Sequence, residues 1–340
     1  MEMNTREVET EFNNLMYRFS PVFKSNASFQ TSVNYVKGLL STTTRKNGWQ
    51  LSEYLGETTP YTIQQFLYRG RFSSDKLRDV LRNYIGEILG KEDGVMVVDE
   101  TGFLKQGKKS CIPEDLTFQT KPQMALEMIQ EATAAGFPYT WVTGDCVYGD
   151  YSNIRQWLEK EQKCYVMSVS GKAYIWQGFE QKSVSSILNK LPDEGWFEGS
   201  CGDGSKGARL YDWQTVKVNH PPMEGWHRTL LVRRSKTNPD ELRAYICFAP
   251  LETAIQKFIE VAGTRWTVET CFKESKSEVG LAEYEVRSFE GWYKHITLAL
   301  IAIAILTALS SLSYDAKRIQ EHKPASCSLE DFKKKRNLPA

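Results

Sequence analysis

The chain has 340 residues, 41% of them hydrophobic, with 43 Lys and Arg against 42 Asp and Glu for a net charge of +1. That length suits two or three domains, and that apolar fraction excludes a globally disordered chain. The near-zero charge excludes a uniformly basic nucleic-acid carrier, and seven dispersed Cys with no CxxC pair exclude a zinc ribbon or a disulfide framework and suit a reducing compartment.

Residues 1–12 are acidic and polar and show no signal-peptide pattern, which points to the cytoplasm. Residues 1–92 read as a helical domain. A short helix over 51–55 is closed by Gly56, and Thr58-Thr59-Pro60 then offers a cap followed by Pro at a helix start. The helix behind it carries Tyr61, Gln64, Gln65, Tyr68 and Arg69. Two short helices around a tight Gly-containing turn read as a helix-turn-helix, with Gln64, Gln65 and Arg69 suited to base edges and phosphates. A plain helical domain with a polar surface would carry the same residues. Ser73-Ser74-Asp75 caps a further amphipathic helix through Leu77, Val80, Leu81, Tyr84 and Ile88.

Residues 93–170 read as strand, helix, strand, strand. The apolar run Val95-Met-Val-Val ends at Asp99 and a Gly turn, which predicts a buried strand delivering an acid at its C-terminal end. The stretch 116–136 predicts an entry turn and an amphipathic helix with Ala125, Ile129 and Ala132 on one side. Tyr139-Thr-Trp-Val-Thr-Gly ends in a second acid, Asp145, and a third strand is expected over 164–169. From 171 to 250 Gly, Trp and short alternating runs predict a β-rich segment. Arg228, Arg233, Arg234 and Lys236 are its candidate phosphate contacts, against the plainer reading of solvated charges.

Residues 251–312 read as helical. In Arg265-Trp-Thr-Val-Glu269-Thr-Cys-Phe-Lys273-Glu-Ser-Lys276, Arg265, Glu269, Phe272, Lys273 and Lys276 fall on one helix face, so one carboxylate is framed by three cations. The apolar stretch 295–312 reaches the lower length limit for a membrane span but reads as a helix buried in a protein core, and no membrane partner is expected. Residues 313–340 read as a basic, loosely ordered tail. Basic clusters also occur at Arg45-Lys46, Arg69 and Arg71, 105–109 and 333–336. Phosphate binding must come from such local clusters.

Two strand-end acids and one helical acid can hold divalent metal, because magnesium takes hard carboxylate oxygens. With these residues in place the chain resembles the DDE transposases of bacterial insertion sequences, in the branch marked by a Tyr-Arg-Glu-Lys motif. Arg265, Glu269 and Lys276 meet that motif's spacing, whereas its Tyr position falls on Ala262. The stretch 280–295 is similar to the family's continuation, and the resemblance runs from about residue 30 to about residue 312. It implies an α/β fold with a ribonuclease-H-like core over 93–170 and 251–312, a β-rich insertion over 171–250, and an N-terminal helical DNA-binding domain. It implies Asp99, Asp145 and Glu269 as a catalytic triad binding two magnesium or manganese ions. Arg265, Lys273 and Lys276 would then lie on the DNA. The implied partner is double-stranded DNA, as element ends and target, with a homodimer on DNA allowed and a nucleoid location when bound.

One departure stands out. A ribonuclease-H-like core places an antiparallel hairpin and a helix between the first two acids, yet Asp145 follows Asp99 by only 46 residues. The stretch 101–115 has no alternating apolar pattern and contains Pro113. It reads as a chain cut after Ser110 and rejoined at Cys111, with the central hairpin absent. Two functions follow: a two-metal DNA transposase, or an internally deleted, non-catalytic DNA-binding derivative. Other chemistries have no support. The four His show no ligand spacing, and Gly107-Lys-Lys-Ser110 lacks the upstream Gly of a phosphate-binding loop.

Overall fold

The computed structural model describes residues 5–103, 113–114, 116–204, 207–219, 223–283, 285–286 and 288–321. The basic stretch 105–109, the expected junction at Ser110 and Cys111, His220, His322 and the basic run 333–336 lie outside these residues.

The elements run in chain order as five helices, α1 (Thr5–Tyr17), α2 (Asn26–Leu39), α3 (Gly48–Tyr54), α4 (Tyr61–Arg69) and α5 (Ser74–Ile88), then strand β1 (Val95–Val98). After α6 (Lys121–Ala134) come β2 (Trp141–Gly144), α7 (Cys146–Gly149), α8 (Ser152–Lys160) and β3 (Cys164–Val169). A small hairpin, β4 (Tyr174–Gln177) and β5 (Glu180–Ser183), and α9 (Val184–Leu188) precede four long strands, β6 (Phe197–Gly204), β7 (Gly207–Lys217), β8 (Trp226–Arg234) and β9 (Leu242–Pro250). The described chain closes with α10 (Ile255–Thr264), α11 (Trp266–Ser277) and α12 (Phe289–Glu321). Local chemistry sets several boundaries. The Asn47 side chain accepts from the Gln50 N–H at 3.0 Å, so α3 starts at Gly48, three residues before the expected 51. Thr120 and Gln123 form a capping box at α6. The last helix continues to Glu321, past the expected start of a loose tail at 313.

Seven strands form one sheet in the order β1-β2-β3-β9-β8-β7-β6. β1, β2 and β3 are parallel; every later pairing is antiparallel. Alternate side chains therefore face opposite layers. Tyr165 and Met167 of β3, Leu230 and Val232 of β8 and Ile246 and Phe248 of β9 pack with Ala125 and Ile129 of α6 and Ile154 and Leu158 of α8. Cys164, Val166, Leu231, Tyr245 and Cys247 face the other way, onto Phe258, Ile259 and Val261 of α10. The fold is thus α/β, with helices on both sheet faces. The strands of 171–250 include four that extend the acid-bearing sheet. One expectation needs correcting. The apolar run of β1 was read as buried, but all four residues are only half-buried. β1 is an end strand, paired among the described strands with β2 alone, so no described strand covers its other flank.

The chain forms two compact units, Met1–Leu81 with Ser277–Ala340, and Arg82–Lys276. In the first, α12 packs against α2 and α4. Its stretch Phe289–Ser311 is long and apolar enough to cross a membrane by composition, and 56% of its apolar 18-residue window is buried inside the protein. The fully buried His295 accepts at Nδ1 from the Tyr35 hydroxyl at 2.7 Å and donates from Nε2 to the Gly280 carbonyl at 3.2 Å. Burial pushes its imidazole down to a pKa of about 4.

A pH dependence follows from this buried imidazole. The unfolded chain takes up the His295 proton at an ordinary pKa of about 6.5, whereas the folded chain resists it down to about 4. Stability is therefore complete above about pH 6.5 and falls as pH drops toward 4, by on the order of 3 kcal/mol for this group. Thermal melts between pH 7 and 4 should show the decline, and His295→Gln should flatten that slope. An unchanged slope in the variant would show that other groups set it.

Candidate active site

Asp99 and Asp145 leave the sheet side by side. The parallel register pairs Val98 with Gly144, so the two acids are the next residues on strands about 4.8 Å apart. Each spends one oxygen locally. Asp99 Oδ1 accepts from the Glu100 N–H at 2.8 Å. Asp145 caps α7, its Oδ1 accepting from the Val147 N–H at 2.9 Å. Glu269 lies in the first turn of α11. Arg265, at the joint of α10 and α11, donates to Glu269 Oε1 at 2.9 Å and lies 3.5 Å from Asp99 Oδ2. One guanidinium therefore bridges the first and third acids. Burial raises the Asp99 carboxyl above its ordinary pKa; the Glu100 N–H and Arg265 oppose that, while Asp145 and Glu100 add to it.

Of the other expected contacts, Lys276 donates to the Gly102 carbonyl at 3.1 Å, and its ammonium lies 5.8 Å from the Phe103 ring centre. It thus holds the turn that follows Asp99. Lys273 is exposed on α11. The three cations expected on one helix face therefore diverge: one joins the acids, one anchors a turn and one faces solvent.

The helix-turn-helix residues belong to the other unit. Gly56, at φ 76°, takes the left-handed conformation that ends α3. On α4, Ile63, Phe66 and Leu67 are buried, whereas Tyr61, Gln64, Tyr68 and Arg69 are exposed. Gln65 is half-buried and turned partly inward.

The β-rich segment's cations are mostly engaged within the protein. Arg228 donates to both Glu159 oxygens, at 3.1 and 2.6 Å. Arg234 pairs with Asp212 at 3.2 Å and stacks on Trp196. Arg233 lies 4.3 Å over the Tyr211 ring, and Lys236 pairs with Glu198. These contacts support a structural role for all four.

Sequence reading missed Glu100, Tyr148 and Lys121. Glu100 accepts from the Tyr148 hydroxyl at 2.6 Å and from Lys121 Nζ at 2.5 Å. These two partners, Lys121 foremost, hold its carboxyl below the usual range, while burial and the neighbouring acids raise the Tyr148 phenol. The only local signal was a second acid directly after Asp99.

Three carboxylates offer the hard oxygen donors that magnesium or manganese takes. Asp99 and Asp145 suit a shared ion. Glu269 instead faces the Arg265 guanidinium, and no three His, Cys, Asp or Glu side chains among the described residues are close enough to hold a metal together. The donor chemistry fits, therefore, with Glu269 Oε1 held by Arg265.

The model of the DDE superfamily endonuclease family matches the chain in two stretches, residues 18–112 and 111–186, together about half of its length. A probable transposase for insertion sequence element IS701 from Microchaete diplosiphon is 20% identical over 329 aligned positions, covering 80% of each chain.

Proposed function

The chain belongs to the DDE superfamily of endonucleases, as a transposase of the insertion-sequence kind, and on that premise we propose that Asp99, Asp145 and Glu269 are the acids with which it cuts element ends and joins them to target DNA. The observation that carries this is the side-by-side departure of Asp99 and Asp145 from paired parallel strands, with Glu269 linked to Asp99 through Arg265. The parallel trio β1, β2 and β3, with helices on both faces, supports a ribonuclease-H-like core.

Two magnesium or manganese ions, when bound, supply activation of the attacking oxygen and charge neutralisation at the leaving one. The chain's own residues position the reactants. Asp99, Asp145 and Glu269 provide the carboxylates. A DNA phosphate offers Arg265 the paired oxygens that a guanidinium fork suits, so DNA engagement draws Arg265 away and frees Glu269. Lys273 and Lys276 hold the backbone beside the scissile phosphate. Water displaces the 3′ oxygen at the element end, leaving a 3′-hydroxyl that attacks target DNA in a second in-line step. Gln64 and Arg69 on the exposed face of α4, with Gln65 at its margin, would contact duplex DNA at the ends, as a dimer, at the nucleoid.

A second reading, a shortened non-catalytic DNA-binding derivative, has its own support. β1 is an end strand, and the two family-matched stretches meet at residues 111–112, where the connection between the acids reads as cut and rejoined. Manganese-dependent nicking of supercoiled plasmid, abolished by chelator, tests the first reading. Duplex binding without nicking would replace it with the second.

Lys276→Ala should weaken DNA retention about equally for all sequences and reduce the salt slope of binding by about one. Manganese affinity should fall much less than DNA affinity, since Lys276 touches the turn after Asp99 only at the Gly102 carbonyl. Equal loss of metal and DNA binding would contradict a backbone-holding role.

A further inference from the structure

We propose that Glu100, Tyr148 and Lys121 form a clamp that sets the separation of Asp99 and Asp145, resting on the reading of those two acids as metal holders. Backbone pairing between β1 and β2 ends at Val98 and Gly144, so the strand ladder does not fix the turns that carry the acids. Glu100, the residue after Asp99, reaches across to α7. Its Oε2 accepts from the Tyr148 hydroxyl at 2.6 Å, and its Oε1 accepts from Lys121 Nζ at 2.5 Å, at the first residue of α6. One carboxylate thus ties the end of β1, the helix after β2 and the start of α6.

The Tyr148 side of the clamp is the fixed one. Its ring is 3% exposed and packs in the core with Val142 and Met167. The next residue, Gly149, seats α7 on β3 so closely that a Cβ there would lie 1.8 Å from the Ser168 carbonyl oxygen. β1 is the opposite case, a four-residue end strand with every residue half-buried. Position therefore passes from the sheet through Tyr148 to Glu100, and from Glu100 to Asp99. Both Glu100 oxygens are engaged, which makes it a positioning residue and leaves Asp99 as the neighbouring ligand. Arg265 does not duplicate this function, because its ion pairs join Asp99 to Glu269, and Lys276 reaches the turn only at Gly102, three residues past Asp99.

The test uses the full chain with Tyr148→Phe, Glu100→Ala, Glu100→Gln and Lys121→Met. Manganese binding is read by electron paramagnetic resonance, and hydrogen exchange by mass spectrometry over residues 95–103. Tyr148→Phe and Glu100→Ala should weaken manganese binding about tenfold, as loss of a group that orients a metal ligand does, and should speed exchange in that segment. Glu100→Gln keeps an acceptor for the Tyr148 hydroxyl and should recover most of the loss, which a general packing role would not produce. Lys121→Met, on a half-exposed side chain that does not threaten the fold, should cost about threefold. Wild-type affinity and exchange in Tyr148→Phe and Lys121→Met would overturn the clamp, whatever becomes of the Glu100 variants. If the wild type binds no manganese while the exchange changes appear, the clamp stands and the metal reading falls.

Discussion

On the proposed acid set, Asp145→Asn should abolish manganese-dependent plasmid nicking, with a rate loss on the order of a thousandfold, or about 4 kcal/mol at the transition state. The substitution keeps shape and removes charge. Asn is as good a helix cap as Asp, and its amide oxygen can still accept from the Val147 N–H that Asp145 now holds. The helix after β2 should therefore stay in place, and Tyr148 with it. What disappears is one of two adjacent anionic donors at the sheet edge, and a neutral amide is a poor substitute at a divalent ion. The variant must be shown to melt like wild type. Nicking at the wild-type rate by Asp145→Asn would remove the residue from the catalytic set. Failure of both proteins to nick, with duplex binding intact, would leave the DNA-binding derivative as the function.

Gly263→Ala should destabilise the sheet-bearing unit by about 3 kcal/mol or more, since overpacking against unyielding backbone lies at the upper end of such effects. A Cβ at Gly263 would stand 2.0 Å from the Cys201 carbonyl oxygen and 2.9 Å from the Cys201 Cβ. Neither can retreat easily. Arg209 donates to the Cys201 carbonyl at 2.8 Å and to the Gly263 carbonyl at 3.2 Å, drawing β6 and α10 together at this point. The helix would have to lift, taking Phe258 and Ile259 off the sheet. Arg265 follows two residues later, so the acid site should be disturbed as well. A melting temperature lower by about 6–12 °C is expected for a unit of this size. A shift under about 2 °C would mean that α10 is not seated as described.

The features legible in the sequence were the local ones. An apolar run, an acid and a Gly turn sufficed to put Asp99 and Asp145 at strand ends, because strand, stop and turn are encoded by neighbours. Gly56 marked the end of α3 in the same way. The half-burial of β1 was not legible, since Val95–Val98 are apolar enough for a core and only the sheet order exposes them. Nor were the partners of Arg228 and Glu100, which lie 69 and 48 residues away in Glu159 and Tyr148. A cation on a strand looks solvated until the chain folds a carboxylate against it. The same holds at Arg265. Its spacing to Glu269 was read correctly, but its second partner, Asp99, belongs to a strand far earlier in the chain.

The position of β3 carries a further consequence. It pairs in parallel with β2 on one side and antiparallel with β9 on the other, so a single ladder runs unbroken from β1 to β6. The long meander is hydrogen-bonded into the same sheet as the acid-bearing strands, so its pairings and theirs support one another. β1 occupies one extremity of this ladder, and five other pairings keep the remaining strands in register. Disruption at β1 would therefore strip the margin of the sheet and leave a continuous frame behind it.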